Sequence, residues 1–463
     1  MTVKAPRKSR QTSPERATET SPVARRGKLR VLFVCHNHPS LYPGGAEGYA
    51  LQVYRQMRDA GDVEPFFLAR YGTTVARKAQ PHPGTPFSVI GEDDHQYLLH
   101  TETNDFDPFL LTLRSKAVLT THYRDFLRTI RPDVVHFQHT HFLGVDMIRE
   151  TRNTLPSVPI VYTLHEYHSI CHRDGVMVRT IDDEPCMESS PRRCNECFPA
   201  IAPQEFFMRR RFLQSHLHEV DQFLAPSQFL MDRYVDWGIS QERIRYHDHG
   251  LVRWPPKAES AQRNTRDRFA FFGQINRYKG IDVLLKAMKH LIESSTPTDT
   301  QSQQKAHLWV HGANLELQGT EFQREVKELV EETSGHVTWA GRYEESDVPR
   351  LMSEIDWVMV PSRWWENSPR VIQEAFQYGR PVICSGFGAL AEKVTNEVNG
   401  LHFRPGDPTS LAGAMRRAAT TPGLWDRLRQ GIPTMRSIDD DVRSLVGLYE
   451  NLLEGRRKNG RSR

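Results

Sequence analysis

Short apolar runs recur along the chain, separated by polar, glycine-bearing stretches. The first, Leu29-Arg30-Val31-Leu32-Phe33-Val34-Cys35, has the β-rich composition of a strand buried on both faces. It leads into Tyr42-Pro43-Gly44-Gly45-Ala46-Glu47, after which Tyr49, Leu51, Val53, Tyr54 and Met57 mark a helix that ends near Gly61. Residues 64–69, 133–138, 160–165 and 221–227 predict further strands. Residues 121–130 and 228–237 predict helices, the second stopped by Gly238. The second half repeats the pattern. Strands are expected at 269–273, 307–312, 337–341, 356–361 and 380–385, with an amphipathic helix at 280–292. Strands alternating with helices predict α/β domains with parallel sheets. A chain of 463 residues exceeds one ordinary core and suggests two such domains, joined near 250–267. A Ser/Thr/Gln-rich surface loop is expected over 293–304.

Composition narrows the function classes. Hydrophobic residues make up 38% and charged residues 25%, as in a soluble globular enzyme. Residues 1–28 are basic, with repeated Ser, Thr and Pro and almost no large apolar side chain, so they cannot bury a core. Residues 456–463 form a second basic, polar tail. Both read first as loose termini, with weak attraction to an anionic membrane surface as the second reading. No apolar run reaches a membrane span, and no apolar h-region marks a signal peptide. Six cysteines are too few for a disulfide scaffold, so a reducing cytoplasm is the default location. The net charge of +4 is not gathered into an aromatic-bearing stripe, which speaks against nucleic acid.

The segment Trp365-Glu366-Asn367-Ser368-Pro369-Arg370 follows the strand at 356–361. Ser368 can cap a helix beginning at Pro369 and closed by Gly379, with Glu366 just before the cap and Glu374 about two turns along. Backbone N–H groups at such a helix start can hold an anionic or hydroxyl-bearing ligand. The plainer reading makes Glu366 a solvated loop acid and Glu374 the partner of a basic neighbour.

This segment, with Glu374-Ala375-Phe376 and Gly379-Arg380-Pro381-Val382-Ile383, resembles the signature of retaining glycosyltransferases of family 4 (glycosyl transferases group 1), which have the GT-B fold. Other segments match in order: Gly44-Gly45-Ala46-Glu47, Thr163-Leu164-His165-Glu166-Tyr167, Ala225-Pro226-Ser227, Asp248-His249-Gly250, Gly273-Gln274-Ile275 with Lys279-Gly280-Ile281, Gly386-Phe387-Gly388 through Glu392, and Asn399-Gly400-Leu401. The family more often has Asn before the glycine at 250. The likeness runs from about Arg30 to Glu454.

The resemblance implies two Rossmann-like doubly wound domains facing across a cleft. An acceptor-side domain would span 28–250 and a nucleotide-sugar domain 251–435, with a helix over 436–454 crossing back to the first and a basic tail over 455–463. It implies transfer of a sugar from a nucleoside diphosphate, UDP- or GDP-linked, to a carbohydrate or lipid-linked acceptor hydroxyl with retained configuration, as in surface polysaccharide or glycoconjugate synthesis. The catalytic positions would be His165, Glu366, Arg277 and Lys279. The donor would meet Gly45, Gly273, Arg277, Lys279, Gly341, Arg342, Glu366, Asn367, Ser368, Pro369, Arg370 and Glu374. Lys279 and Arg277 would face the diphosphate, Glu366 the sugar, Glu374 the ribose hydroxyls and Gly341-Arg342 the nucleobase. No cofactor is required for catalysis. The histidines after strand 133–138 would line the acceptor cleft. The rival reading is a nucleotide-sugar-binding relative without turnover. A Rossmann dehydrogenase is disfavoured, because Pro43-Gly44-Gly45-Ala46-Glu47-Gly48 is not its glycine fingerprint.

Cys171, Cys186, Cys194 and Cys197 fall within 27 residues, the last two as Cys-x-x-Cys. Four thiolates suit a structural zinc ion, although the spacing is not that of a standard zinc finger. An iron–sulfur cluster, an oxidised pair and free thiols stay open, and His168 or His172 could replace a ligand.

Overall fold

The structure, a computed structural model, describes residues 27–72, 85–91, 93–253, 265–294 and 306–461. The N-terminal basic segment before Gly27, the inter-domain stretch 254–264 and the polar stretch 295–305 lie outside the described residues.

The first half carries β1 (Leu29–Cys35), β2 (Val63–Tyr71), β3 (Phe87–Val89), β4 (Gln96–His100), a small hairpin of β5 (Phe106–Asp107) and β6 (Thr112–Leu113), β7 (Val134–Phe137), β8 (Ile160–Thr163), β9 (Gln222–Ala225) and β10 (Ile244–Tyr246). Hairpin apart, they form one sheet ordered β10-β9-β8-β7-β1-β2-β4-β3, parallel except at β3/β4. The second half carries β11 (Arg268–Gln274), β12 (His307–Ala313), β13 (Val337–Gly341), β14 (Trp357–Val360), β15 (Val382–Ser385) and β16 (Gly400–Phe403). They form a parallel sheet ordered β13-β12-β11-β14-β15-β16.

Central strands read as unbroken apolar runs because helices cover both faces. Val31 to Cys35 are all buried, as are Trp357 to Val360. The helix Ile281–Glu293 begins and ends as its 3.6-residue periodicity predicts. It turns Ile281, Leu284, Leu285, Met288 and Leu291 into the core of the second sheet. The helix Gln228–Trp237 has its Ser227 cap and left-handed Gly238 stop in place. The helix expected at 121–130 enters earlier, through a π-helical turn at Val118–Tyr123.

In each sheet the strand order reverses beside the first strand, between β1 and β7 and between β11 and β14. Loops leaving the C-terminal ends of such a pair splay apart and leave a crevice, which is where open α/β sheets bind ligands. The loops after β1, β7, β11 and β14 border these two crevices.

The chain crosses between the halves twice. Leu251 N donates to Arg436 O (3.0 Å) and Ile438 N to Leu251 O (2.8 Å), so the crossings pair with each other. The helix Ile438–Arg461 then returns to the first sheet, burying Ile438, Val442, Leu445, Leu448 and Tyr449 against Val31, Phe33, Tyr49 and Tyr54. The reading of 455–463 as a loose basic tail is corrected here. The helix continues to Arg461, and Arg456 pairs with Asp221 (2.5 Å) and donates to Pro156 O (2.9 Å).

Candidate active site

The loops after β11 and β14 touch backbone to backbone. Gly280 has φ +71°, and a Cβ added there would stand 2.0 Å from Pro361 O, so only glycine permits the approach. Asn276 closes the preceding turn by accepting from Lys279 N (2.9 Å). This crossing brings Lys279 Nζ to 2.6 Å from Glu366 Oε1. The same oxygen accepts from Ser362 Oγ (2.7 Å) and Trp364 Nε1 (2.9 Å). Glu366 is only 6% exposed. Burial alone would raise its carboxyl, but the Lys279 charge and these three donors outweigh burial and hold it below the usual range. Glu366 is thus a buried, ionised acid fixed at the crevice of the second sheet.

Asn367 Nδ2 reaches the other half and donates to His165 O. The helix then starts at Arg370, not at Pro369, and Ser368 does not cap it. Pro369 occupies the N-cap position with ψ 115°, outside the helical range, and no side-chain cap is formed. Ser368 Oγ is instead buried without a hydrogen-bond partner, as is Asn367 Oδ1. Two orphaned polar atoms therefore sit beside an uncapped helix start, an arrangement that a polar ligand would satisfy. Gly379 does close the helix, with φ +64° and its N–H on Phe376 O (3.0 Å). Arg370 pairs with Glu374 (3.2 Å) one turn on and with Glu345 (2.6 Å). Glu345 also accepts from Gln52 of the first half (2.6 Å). Burial raises the Glu374 carboxyl, opposed by Arg370 and assisted by Glu345.

Facing this helix are residues of the first half. His165 Nε2 bonds Gln138 Oε1 (2.8 Å). Burial depresses its pKa to about 3, so the ring is neutral near pH 7. Gln138 turns its amide nitrogen to His136 Nε2 (3.1 Å) and offers its oxygen to His165, which fixes the His165 proton on Nε2. Tyr49 stacks on His249 (3.8 Å between centroids), and His165 lies 5.1 Å from the same ring. His249 Nε2 is buried without a partner. The sequence alone does not single out Tyr49, His249 or Gln138 as site residues, and it presents Glu47 only as part of a glycine motif. Glu47 is buried and paired with His36 (2.9 Å). The available signal was an acid on the otherwise apolar buried face of the first helix.

The histidines after β7 separate. His136, expected in the cleft, is fully buried between Tyr449 and Thr163, because the returning C-terminal helix covers its face of the sheet with Tyr449. His139 and His141 do reach the loop end, where His139 with Glu166 and His168 places one ligating atom each within 4.8 Å of the others. His168 Nδ1 pairs with Glu166 (2.7 Å).

The model of glycosyltransferase family 4 matches residues 43–251, and that of glycosyl transferases group 1 matches residues 252–433. The chain belongs to the family 4, group 1 glycosyltransferases. Mannosylfructose-phosphate synthase of Agrobacterium fabrum is 24% identical over 453 residues, covering 91% of this chain and 90% of that one. An uncharacterized glycosyltransferase of Methanocaldococcus jannaschii is 26% identical over 191 residues, 40% of this chain and 45% of that one. Among solved structures, sucrose-phosphate synthase from Thermosynechococcus elongatus superposes with a TM-score of 0.65 at 17% identity, over 92% of this chain and all of that one. Alr3699/HepE of Anabaena, in complex with UDP and glucose, gives 0.60 at 15% identity, over 91% and 99%. These neighbours show the fold: two Rossmann-like domains of GT-B type.

The other expected site positions of this glycosyltransferase are unevenly gathered. Arg277 is not with Lys279 and Glu366. It turns toward the helix Thr320–Glu332, 3.6 Å from Glu325 and over the Phe322 ring, because the tight turn before Gly280 points the two basic side chains apart. Gly341 has φ +77° at the end of β13, and Arg342 beyond it is exposed. Gly45 begins the first helix and Gly273 lies in β11; a Cβ on either would meet nothing within 4 Å. The four clustered cysteines come from three chain segments to line one cavity. No helix among the described residues is long and apolar enough to cross a membrane.

Proposed function

We propose that this glycosyltransferase moves a sugar from a nucleoside-diphosphate donor to an acceptor hydroxyl with retention of anomeric configuration. The observation that carries the reading is the buried, ionised Glu366 held by Lys279 at the uncapped start of the Arg370 helix, directly across from His165. A departing diphosphate gains negative charge as its glycosidic bond breaks. Cationic and N–H donors fixed beside it favour the transition state over the ground state. Lys279 and the free N–H groups of Arg370 and Val371 would take that role. Glu366 Oε2, free of the three donors on Oε1, would orient the sugar by accepting from a hydroxyl. Glu374, beside the nucleotide side of the same helix, would accept from ribose hydroxyls, with Arg370 as its counter-ion.

His165 is neutral and carries its proton on Nε2, so it would contact a sugar hydroxyl through Nδ1 and is not assigned nucleophilic attack. The leaving phosphate would then accept the proton of the attacking acceptor hydroxyl on the same face. The solved complexes of HepE with UDP and with UDP-glucose support a uridine nucleotide as the first donor to try. Acceptor choice would reside in the loops of the first domain, with a surface polysaccharide or glycoconjugate as the acceptor class. An inner-membrane-face location would follow from a lipid-linked acceptor.

A panel of UDP-, GDP- and ADP-sugars should show one donor that raises the melting temperature, since a ligand bound only by the folded state stabilises it. With that donor, proton NMR of the product should show the donor's own anomeric configuration. Inverted product would overturn the retaining mechanism. Donor binding without hydrolysis or transfer, unchanged by Glu366→Gln, would instead establish the binding-only reading.

A further inference from the structure

Segment 171–197 belongs to neither sheet. Its described secondary structure is the short helix Pro191–Cys197 and one isolated bridge, Val178 to Pro185. A loop of 27 residues with so little regular structure needs something else to order it. Cys171 ends the turn begun at Tyr167, with its N–H on Tyr167 O (2.8 Å). Cys186 follows the bridge, with its N–H on Met177 O (2.7 Å). Cys194 and Cys197 lie one turn apart on one face of the helix. All four line a single cavity of about 30 Å³ whose other walls are largely apolar. No disulfide joins them. Cys171 and Cys186 also touch the edge of the first-domain core, but Cys194 and Cys197 do not, so core packing alone does not bring all four to one cavity.

The charges around the cavity give an independent indication. Arg209 is 3% exposed, and its guanidinium donates to three main-chain oxygens, of Phe109, His168 and Ser169. No carboxylate stands within ion-pair distance of it among the described residues, so a buried cation lacks a counter-ion, a costly arrangement. Arg193, on the cavity wall, has a buried Nε without a partner, as has His172 at Nδ1. Four thiolates on a dicationic centre carry a net charge of −2, and these two arginines offset it.

We propose that Cys171, Cys186, Cys194 and Cys197 bind a soft metal centre through four thiolates, a [4Fe–4S] cluster in preference to a single zinc ion. A zinc–sulfur bond of about 2.3 Å sets the sulfurs of a tetrahedral site about 3.8 Å apart. Among the described residues, His139, Glu166 and His168 are the only three potential ligands whose atoms all lie within 4.8 Å of one another. No three of the four sulfurs meet that limit, and they surround a space larger than one water requires. A cluster whose thiolates each bind a separate iron corner fits the wider spread. The centre has a structural role. It ties the loop bearing Glu166 and His168 to the Cys186 carbonyl, which accepts from Trp365 Nε1 (3.1 Å) next to Glu366.

The full chain, purified without oxygen, should carry about four iron and four acid-labile sulfide per molecule and show the broad visible absorption of thiolate-bound iron. The Cys194→Ser/Cys197→Ser variant should lose both, while Cys35→Ala, a buried cysteine of β1, should keep them. X-ray absorption at the metal edge of the unaltered chain needs no variant to fold, and should show sulfur alone as the protein ligand type. One zinc per chain with a sulfur-only shell would confirm the four-thiolate site and replace the cluster. Metal-free protein that takes up neither iron–sulfide nor zinc would overturn the proposal. So would nitrogen or oxygen ligands, such as His139 and Glu166 would give.

Discussion

At the scale of single residues, Lys279 and Glu366 act as a unit, and their contributions to stability and to activity should separate. Removing the cation leaves an almost fully buried carboxylate. Lys279→Ala should therefore cost roughly 1–3 kcal/mol, the upper part of the usual range being cut back because the ammonium is partly exposed. Adding Glu366→Gln should recover most of that loss in a denaturant titration. In a transfer assay neither variant should recover. Each should fall about 10²–10³-fold, as when one transition-state donor or orienting group is lost. If the double variant were as unstable as Lys279→Ala alone, the pair would not be the interaction that matters. The acid was legible in the sequence because it stood beside a helix start. Its partner was legible only through the family pattern, since 87 residues separate the two.

At the scale of elements, the site depends on one backbone crossing. Gly280→Ala would force an L-residue to φ +71° and drive its Cβ into Pro361 O. A loss of at least about 2 kcal/mol is expected, along with a weakened response to donor in thermal shift, because the Lys279 loop must withdraw from Glu366. Unchanged donor affinity in a folded Gly280→Ala chain would show that the crossing does not set the site. A second element-scale device spans the domains. Glu392 accepts from the N–H groups of Gln228 (2.9 Å) and Phe229 (3.0 Å), capping the Gln228–Trp237 helix from the opposite half. Glu392→Ala should cost about 1 kcal/mol as a lost cap and raise the chain's radius of gyration in small-angle scattering. Periodicity located these helices to within a residue or two. It missed the Arg370 start because Ser368 has the right chemistry for a cap. The extended Pro369 carries the chain past that position, leaving the hydroxyl unused.

At the scale of the whole molecule, the returning C-terminal helix holds the two halves in register. Asp441 is fully buried and accepts from Tyr49 OH (3.0 Å), His247 Nε2 (2.6 Å) and Gly250 N (2.8 Å), joining helix, first domain and crossing. Asp441→Asn places an amide donor against three donors and should destabilise by about 2–4 kcal/mol, read as a lower melting temperature for both domains together. Acid should unfold the protein from an unusually high pH. Burial depresses His136, His139, His165 and His249 below their ordinary value, reinforced by neighbouring histidine charges at His136, His139 and His249 and opposed at His165 by Glu47. A depressed pKa means that the unfolded chain binds protons the native one refuses. Stability is therefore complete above about pH 6.5 and falls below it, by about 1.4 kcal/mol per pH unit for each such histidine. His168 opposes the trend, since Glu166 outweighs burial and raises it. Denaturant midpoints that stay level from pH 7.5 to 5.5 would refute this.

The sequence by itself determined two parallel α/β sheets, their central strands, most helix limits and the acid-bearing segment at 365–370. Apolar runs, glycine stops and caps are local, and strand burial needs no knowledge of partners. Tertiary structure alone decided which side chains meet. Strand order put the loops after β11 and β14 side by side, so that Lys279 reached Glu366 while Arg277 turned to Glu325. The returning helix buried His136 beneath Tyr449 and took up residues that read as a tail, and the path of the 171–197 loop gathered four thiols at one cavity. These outcomes depend on contacts between residues far apart in the chain, whose directions no local pattern encodes.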